Sequence, residues 1–124
     1  MGSGGREHAS AKKLAQSRLC KTLFIAPGNA GTADEGVNVK LDIMDFAEVG
    51  AFVEMHHVDM VVVGPEAPLV GGIADYFAET HSLSHVLVVG PGRQGAMLEG
   101  SKDYAKAFMV RHKIRTARYQ TFTQ

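Results

Sequence analysis

Short apolar runs alternate along this chain with stretches in which apolar residues recur every three or four positions. Ala11, Leu14 and Ala15 share one face of a helix expected from Glu7 to about Ser17. The run Thr22 to Ala26 reads as a strand stopped by Pro27-Gly28. Asp45 with Glu48 three residues on has the form of a capping box, opening a helix that places Phe46, Val49, Phe52 and Val53 together and ends near His57. Met60 to Val63 is continuously apolar, as a strand buried on both faces of a parallel sheet must be. A helix through Val70, Ile73, Ala74 and Phe77 follows, then a strand at Val86 to Val89 closed by Gly90-Pro91. A short helical stretch at Ala96 to Glu99 leads to Ser101, the N-cap of a last helix through Tyr104, Ala105, Phe108 and Met109. The alternation predicts an α/β fold, a doubly wound, Rossmann-like parallel sheet with right-handed crossovers and helices on both faces.

In such sheets ligands bind beyond the carboxyl ends of the strands. The glycine-rich clusters stand there, so three loops are expected on one rim: Gly2 to Glu7, Pro27 to Thr32 and Gly64 to Leu69. The first, Gly2-Ser3-Gly4-Gly5-Arg6-Glu7-His8, is a phosphate-loop signature: glycine backbone approaches an anion, and the following helix offers its positive end. It has no strand written ahead of it, which gives the chain the look of a fragment. A dinucleotide fits poorly. Counting from Gly2 and Gly4, Glu7 takes the third position of G-x-G-x-x-G, where a small residue is wanted, and Ala26-Pro27-Gly28 stands where an acid should hold a ribose hydroxyl.

Composition narrows the class further. A chain of 124 residues suits one core, and 13 basic against 13 acidic residues give no electrostatic case for nucleic acid or a membrane surface. The single cysteine, Cys20, excludes an internal disulfide, and there is no signal peptide and no apolar run near 18 residues, so a cytoplasmic location is the default.

Four motifs in order carry a specific resemblance: Gly2-Ser3-Gly4-Gly5-Arg6-Glu7-His8-Ala9, Ala26-Pro27-Gly28-Asn29-Ala30-Gly31-Thr32, Val63-Gly64-Pro65-Glu66-Ala67-Pro68-Leu69-Val70 and Leu98-Glu99-Gly100-Ser101-Lys102. Together they resemble the phosphoribosylamine glycine ligase (glycinamide ribonucleotide synthetase) family over nearly the whole chain. The resemblance implies a pre-ATP-grasp substrate domain over residues 1–100 and the truncated start of an ATP-grasp domain over 101–124. It implies an ATP-dependent carbon-nitrogen ligase of de novo purine synthesis. Glycine is activated as glycyl phosphate and attacked by the amine of 5-phosphoribosylamine. ATP and Mg²⁺ (or Mn²⁺) are implied as cofactors bound mostly outside this chain, which alone should not turn over. The rival reading is a noncatalytic phosphate- or nucleotide-binding module.

Residue by residue, the candidate substrate contacts are Gly4, Gly5, Arg6, Glu7, Asn29, Gly31, Thr32, Gly64, Pro65, Glu66 and Pro68. Gly4 and Gly5 with Arg6 suit a phosphate monoester, because a cation beside a positive helix end is poorly placed unless an anion joins it; otherwise Arg6 is a solvated first-turn residue. Asn29 either meets ligand or serves left-handed turn geometry, and Thr32 offers a hydroxyl at the same rim. Glu66, between Pro65 and Pro68, either accepts bonds from ribose hydroxyls or the ligand amine, or caps a helix starting near Leu69. Lys102, by similarity to ATP-grasp enzymes, approaches ATP phosphates, or is a solvent-facing lysine. No catalytic residue is assigned and no metal site: the six histidines are scattered, and Met44, Met55, Met60, Met97 and Met109 read as core filler.

Family members place an apolar strand before the glycine loop. Its absence here leaves two neighbouring strands with unpaired edges, so self-association through those edges or a rearranged sheet is expected.

Overall fold

A computed structural model describes residues 1–122. Its regular elements are α1 (Gly5–Ala15), β1 (Phe24–Ile25), β2 (Val37–Asn38), α2 (Phe46–Met55), β3 (Met60–Val62), α3 (Glu66–Gly71), α4 (Ile73–Glu79), β4 (Leu87–Val89), α5 (Arg93–Gly100) and α6 (Lys102–Arg111), with one 3₁₀ turn at Thr32–Asp34. β1 pairs with β2 and β3 with β4, each in parallel.

The two ladders are separate, and Met1 and Gly2 join them at one end. Gly2 N–H donates to Ala26 O at 2.7 Å and Gly28 N–H to Gly2 O at 3.1 Å, while the Met1 amine donates to Val62 O at 2.7 Å and Gly64 N–H to Met1 O at 3.1 Å. The spatial order is therefore β2-β1-(Met1, Gly2)-β3-β4. The sheet order is not rearranged; the sheet is split by a slot one strand wide. The crossover through α1 and the crossover through α2 run in opposite directions along the sheet, and right-handed connections then place these helices on opposite faces. That is the doubly wound α/β architecture.

The core is lopsided. Val49 and Val53 of α2, Val61 and Val63 at β3, Leu69 of α3, and Ile73 and Phe77 of α4 pack with Leu83, Val86 and Ala96. On the β1 side the buried apolar residues are Ala11, Ile25 and Ala26. The expected methionine filler is not realised at Met44, Met55 and Met60, all exposed.

Three local expectations need correction. β2 carried no sequence signal, because Val37-Asn38 is too short to show alternation and both side chains are exposed. The single helix expected through Val70 and Phe77 is two, broken where Gly72 takes φ 96° and the Arg93 guanidinium donates to Gly71 O at 2.7 Å. Asp45 does cap α2, accepting from Ala47 and Glu48 N–H, but the Glu48 carboxylate accepts from Asp42 N–H instead of closing a box on Asp45. The bond from an N-cap N–H to an N3 carboxylate belongs instead to α1, where Gly4 N–H donates to Glu7 Oε2 at 2.8 Å and the glycine has no side chain to return it. Ser101 caps α6 as expected, its hydroxyl accepting from Tyr104 N–H.

Candidate functional site

The three glycine-rich loops lie together at the carboxyl ends of β1 and β3, because Met1 and Gly2 bond to the chain just past both strands. Asn29 ties the second loop to the first. Its Nδ2 donates to Ser3 O at 2.8 Å, its Oδ1 accepts from Thr32 N–H at 3.0 Å, and its N–H donates to Thr32 Oγ1 at 2.7 Å. Asn29 has negative φ, so it is a clamp and not a left-handed turn residue. The first and third loops meet through the Arg6 guanidinium, 3.8 Å from Glu66 Oε2, and through Glu7, which fills the space beside Gly2 and Gly64.

The surface this leaves is narrow and polar. Ser3, Gly4, Gly5, Arg6 and Glu66 are exposed, and the side chains of Arg6 and Glu66 keep 60% and 54% of their area open to solvent. The first-turn N–H groups of α1 at Gly5 and Arg6 have no intrahelical partner, as at any helix start. Backbone donors, a positive helix end and a guanidinium facing one carboxylate suit a small anion carrying hydroxyls or an amine.

Several sequence candidates lie beneath that surface. Thr32 is fully buried, its hydroxyl accepting from Asn29 N–H and lying 2.7 Å from Asn38 Oδ1, so the expected rim hydroxyl points inward. Pro68 is also fully buried and belongs to the core, because α3 begins two residues earlier and turns its ring inward. Pro65 is the N-cap residue of α3, so the helix starts at Glu66 and not near Leu69. Gly31 lies against the His8 imidazole, whose Nε2 is 3.9 Å from Glu35 Oε1. Lys102 is exposed at the start of α6 and makes no side-chain hydrogen bond or ion pair among the described residues. Asn38, missed in the sequence, donates to Asn29 O at 2.7 Å and supports the second loop from β2. The asparagine so close to the loop was the only available signal. Among the described residues no group of three or more His, Cys, Asp or Glu is placed to hold a metal ion.

Glu7 is the electrostatic centre of the loop. Burial works to raise its carboxyl pKa, but hydrogen bonds from Arg6 and from Gly4 N–H outweigh it and hold the group below the ordinary 4.5. A carboxyl depressed in the folded state stabilises the fold above its unfolded pKa, and that contribution is lost as pH falls through the folded value. Wild-type stability in urea is therefore expected to drop more steeply below about pH 4.5 than that of Glu7→Gln, which keeps the shape and loses the charge. Parallel pH profiles for the two proteins would contradict this assignment.

The family described as phosphoribosylglycinamide synthetase, N domain, matches residues 1–99. The chain is 48% identical over 126 residues to "Phosphoribosylamine--glycine ligase" of Escherichia coli strain K12, covering 100% of this chain and 28% of that protein. It is 50% identical over 122 residues to the protein of the same name from Ralstonia nicotianae, covering 98% of this chain and 28% of the relative. The Haemophilus influenzae relative is 47% identical over 126 residues. The chain thus spans 28% of the length of these curated relatives. Family match, parallel strands and the glycine-loop rim agree, and the chain belongs to the phosphoribosylglycinamide synthetase N-domain family.

Proposed function

We propose that this chain is the N-terminal, substrate-holding part of an ATP-dependent ligase that joins glycine to 5-phosphoribosylamine, giving glycinamide ribonucleotide in de novo purine synthesis. In that reaction a glycine carboxylate oxygen attacks the γ-phosphoryl group of ATP, releasing ADP and forming glycyl phosphate. The amine of 5-phosphoribosylamine then attacks the glycyl carbonyl, the amide bond forms as phosphate leaves, and the nitrogen gives up a proton. The observation that supports this reading is the convergence of Gly4, Gly5, Arg6 and Glu66 on one exposed rim. The α1 donors and Arg6 hold the 5-phosphate; Glu66 accepts from a ribose hydroxyl or the amine.

Residues 1–100 form the substrate domain and 101–124 begin the ATP-grasp portion, with Lys102 approaching ATP phosphates. Metal and most ATP contacts are assigned, by the family resemblance, to the part of the relatives beyond this chain. The separate chain is inactive, and the intact enzyme works in the cytoplasm.

Titration with ribose 5-phosphate, glycinamide ribonucleotide, AMP and NAD tests the reading. Selective binding of the first two is expected, weakened about tenfold or more by Arg6→Ala, the loss of one charge-assisted bond. Equal binding of AMP would favour a noncatalytic nucleotide module, and selectivity for NAD would sink the ligase assignment.

A further inference from the structure

The last turn of α5, Leu98-Glu99-Gly100, is brought back to the rim by the way α5 crosses α3. At the start of α5, Arg93 N–H donates to Asp75 Oδ2 and the Arg93 guanidinium to Gly71 O, each at 2.7 Å. At its end, a β-carbon on Gly100 would stand 2.5 Å from Val70 Cγ2. Val70 lies four residues after Glu66 on the same face of α3, so the end of α5 arrives on the side of α3 that carries the Glu66 carboxylate.

Glu99 is exposed there and makes no side-chain hydrogen bond or ion pair among the described residues. Its charge still reaches Arg6. The Arg6 guanidinium is held above its ordinary pKa first by the hydrogen bond to Glu7 and then by the charges of Glu7, Glu66 and Glu99. Three carboxylates therefore face one guanidinium, and the four side chains together carry negative charge. Glu7 is committed to Gly4 N–H and Arg6, whereas Glu66 and Glu99 stay on the surface. A phosphate arriving alone meets this excess as repulsion; a ligand that brings an ammonium with its phosphate turns it into attraction. An ammonium has three donors, enough to serve both carboxylates at once.

We propose that Glu99 is a specificity-determining residue of the rim, which together with Glu66 receives the primary ammonium of a ligand whose phosphate is held at Gly4, Gly5 and Arg6. This role rests on the ligase reading, in which the product glycinamide ribonucleotide carries such an ammonium on its glycyl arm; ribose 5-phosphate carries none. Glu66 alone suffices to pair the outer edge of Arg6, at 3.8 Å. The second carboxylate has no use for a plain sugar phosphate. Glu99 therefore selects among phosphates, and the phosphate contact itself stays with α1 and Arg6.

Calorimetric titration of the whole chain and of Glu99→Gln tests it, with three probes: ribose 5-phosphate, glycinamide ribonucleotide, and glycinamide ribonucleotide acetylated on its amine. The wild-type chain is expected to prefer glycinamide ribonucleotide to ribose 5-phosphate, and Glu99→Gln to cut that preference by about threefold or more, weakening the first ligand and tightening the second. The acetylated probe, which has lost the ammonium, should bind the variant at least as well as the wild type. Glu99→Asp, which keeps the charge, should restore part of the preference. A preference indifferent to Glu99→Gln, an equal loss for all three probes, or an acetylated probe weakened as much as the free amine overturns the role of Glu99 while leaving the phosphate site in place. If neither ribose 5-phosphate nor glycinamide ribonucleotide binds the wild-type chain, the rim reading falls and takes this role with it.

Discussion

Phe77→Ala is expected to lower the free energy of unfolding by about 3–5 kcal/mol, a large share of the roughly 5–15 kcal/mol typical of a whole domain. Phe77 is 1% exposed and sits with the fully buried Ile73 on the inward face of α4, its ring 6.1 Å from that of Tyr76. Truncation removes the aromatic area from the core and leaves a void that neighbours on α2, α4 and β3 cannot all move to fill. The effect should be severe here because most of the core lies on the β3 side of the slot, leaving few buried side chains on the β1 side to compensate. Urea unfolding measures it, with Phe122→Ala as the reference, since Phe122 is 84% exposed and should change stability by no more than about 0.5 kcal/mol. A loss below about 1 kcal/mol for Phe77→Ala would mean that the core is not centred where the packing places it.

The second large effect belongs to the rim. A β-carbon at Gly64 would stand 2.5 Å from Glu7 Cγ, 2.6 Å from Glu7 Oε1 and 2.8 Å from Met1 O. Glu7 can swing aside only by giving up its bonds to Gly4 N–H and Arg6, and Met1 O is main chain already held by Gly64 N–H. Gly64→Ala is therefore expected to cost about 1–3 kcal/mol from overpacking and to weaken ribose 5-phosphate binding, because the shifted Glu7 carries Arg6 with it. A double-mutant cycle separates the causes. In a Glu7→Ala background the Gly64→Ala penalty should shrink, because residues in contact do not act additively, while the clash with Met1 O persists. Additive penalties would show that Glu7 is not what makes Gly64 necessary.

The same contact explains why the dinucleotide fingerprint fails at Glu7. A third small residue lets helix and strand pack closely. In this chain the Glu7 side chain lies instead against Gly2, which has φ 122°, and Gly64, with its carboxylate turned back to cap the loop. The acid that looks like a mismatch in one dimension holds the loop in shape in three. Asn29 and Thr32 follow the same logic: both looked available to a ligand, and both spend their polar atoms on each other, on Ser3 and on Asn38. Of the candidate contacts, Gly4, Gly5, Arg6 and Glu66 keep exposed surface; Glu7, Asn29, Thr32 and Pro68 hold or underlie the loops that present them.

What the sequence by itself determined was the alternation of helices and strands, the parallel doubly wound class, the caps at Asp45 and Ser101, and the arrival of three glycine-rich loops at one edge. Those features are local, written in periodicity, in capping chemistry and in glycine clusters that follow strands. Tertiary structure alone decided that Met1 and Gly2 bridge two ladders across a slot, that β2 exists, that Gly72 splits a helix, and which polar atoms face solvent. Each depends on groups brought together from distant parts of the chain. A hydrogen bond between Met1 and Val62, or a glycine shaped around the side chain of Glu7, has no signature in neighbouring residues.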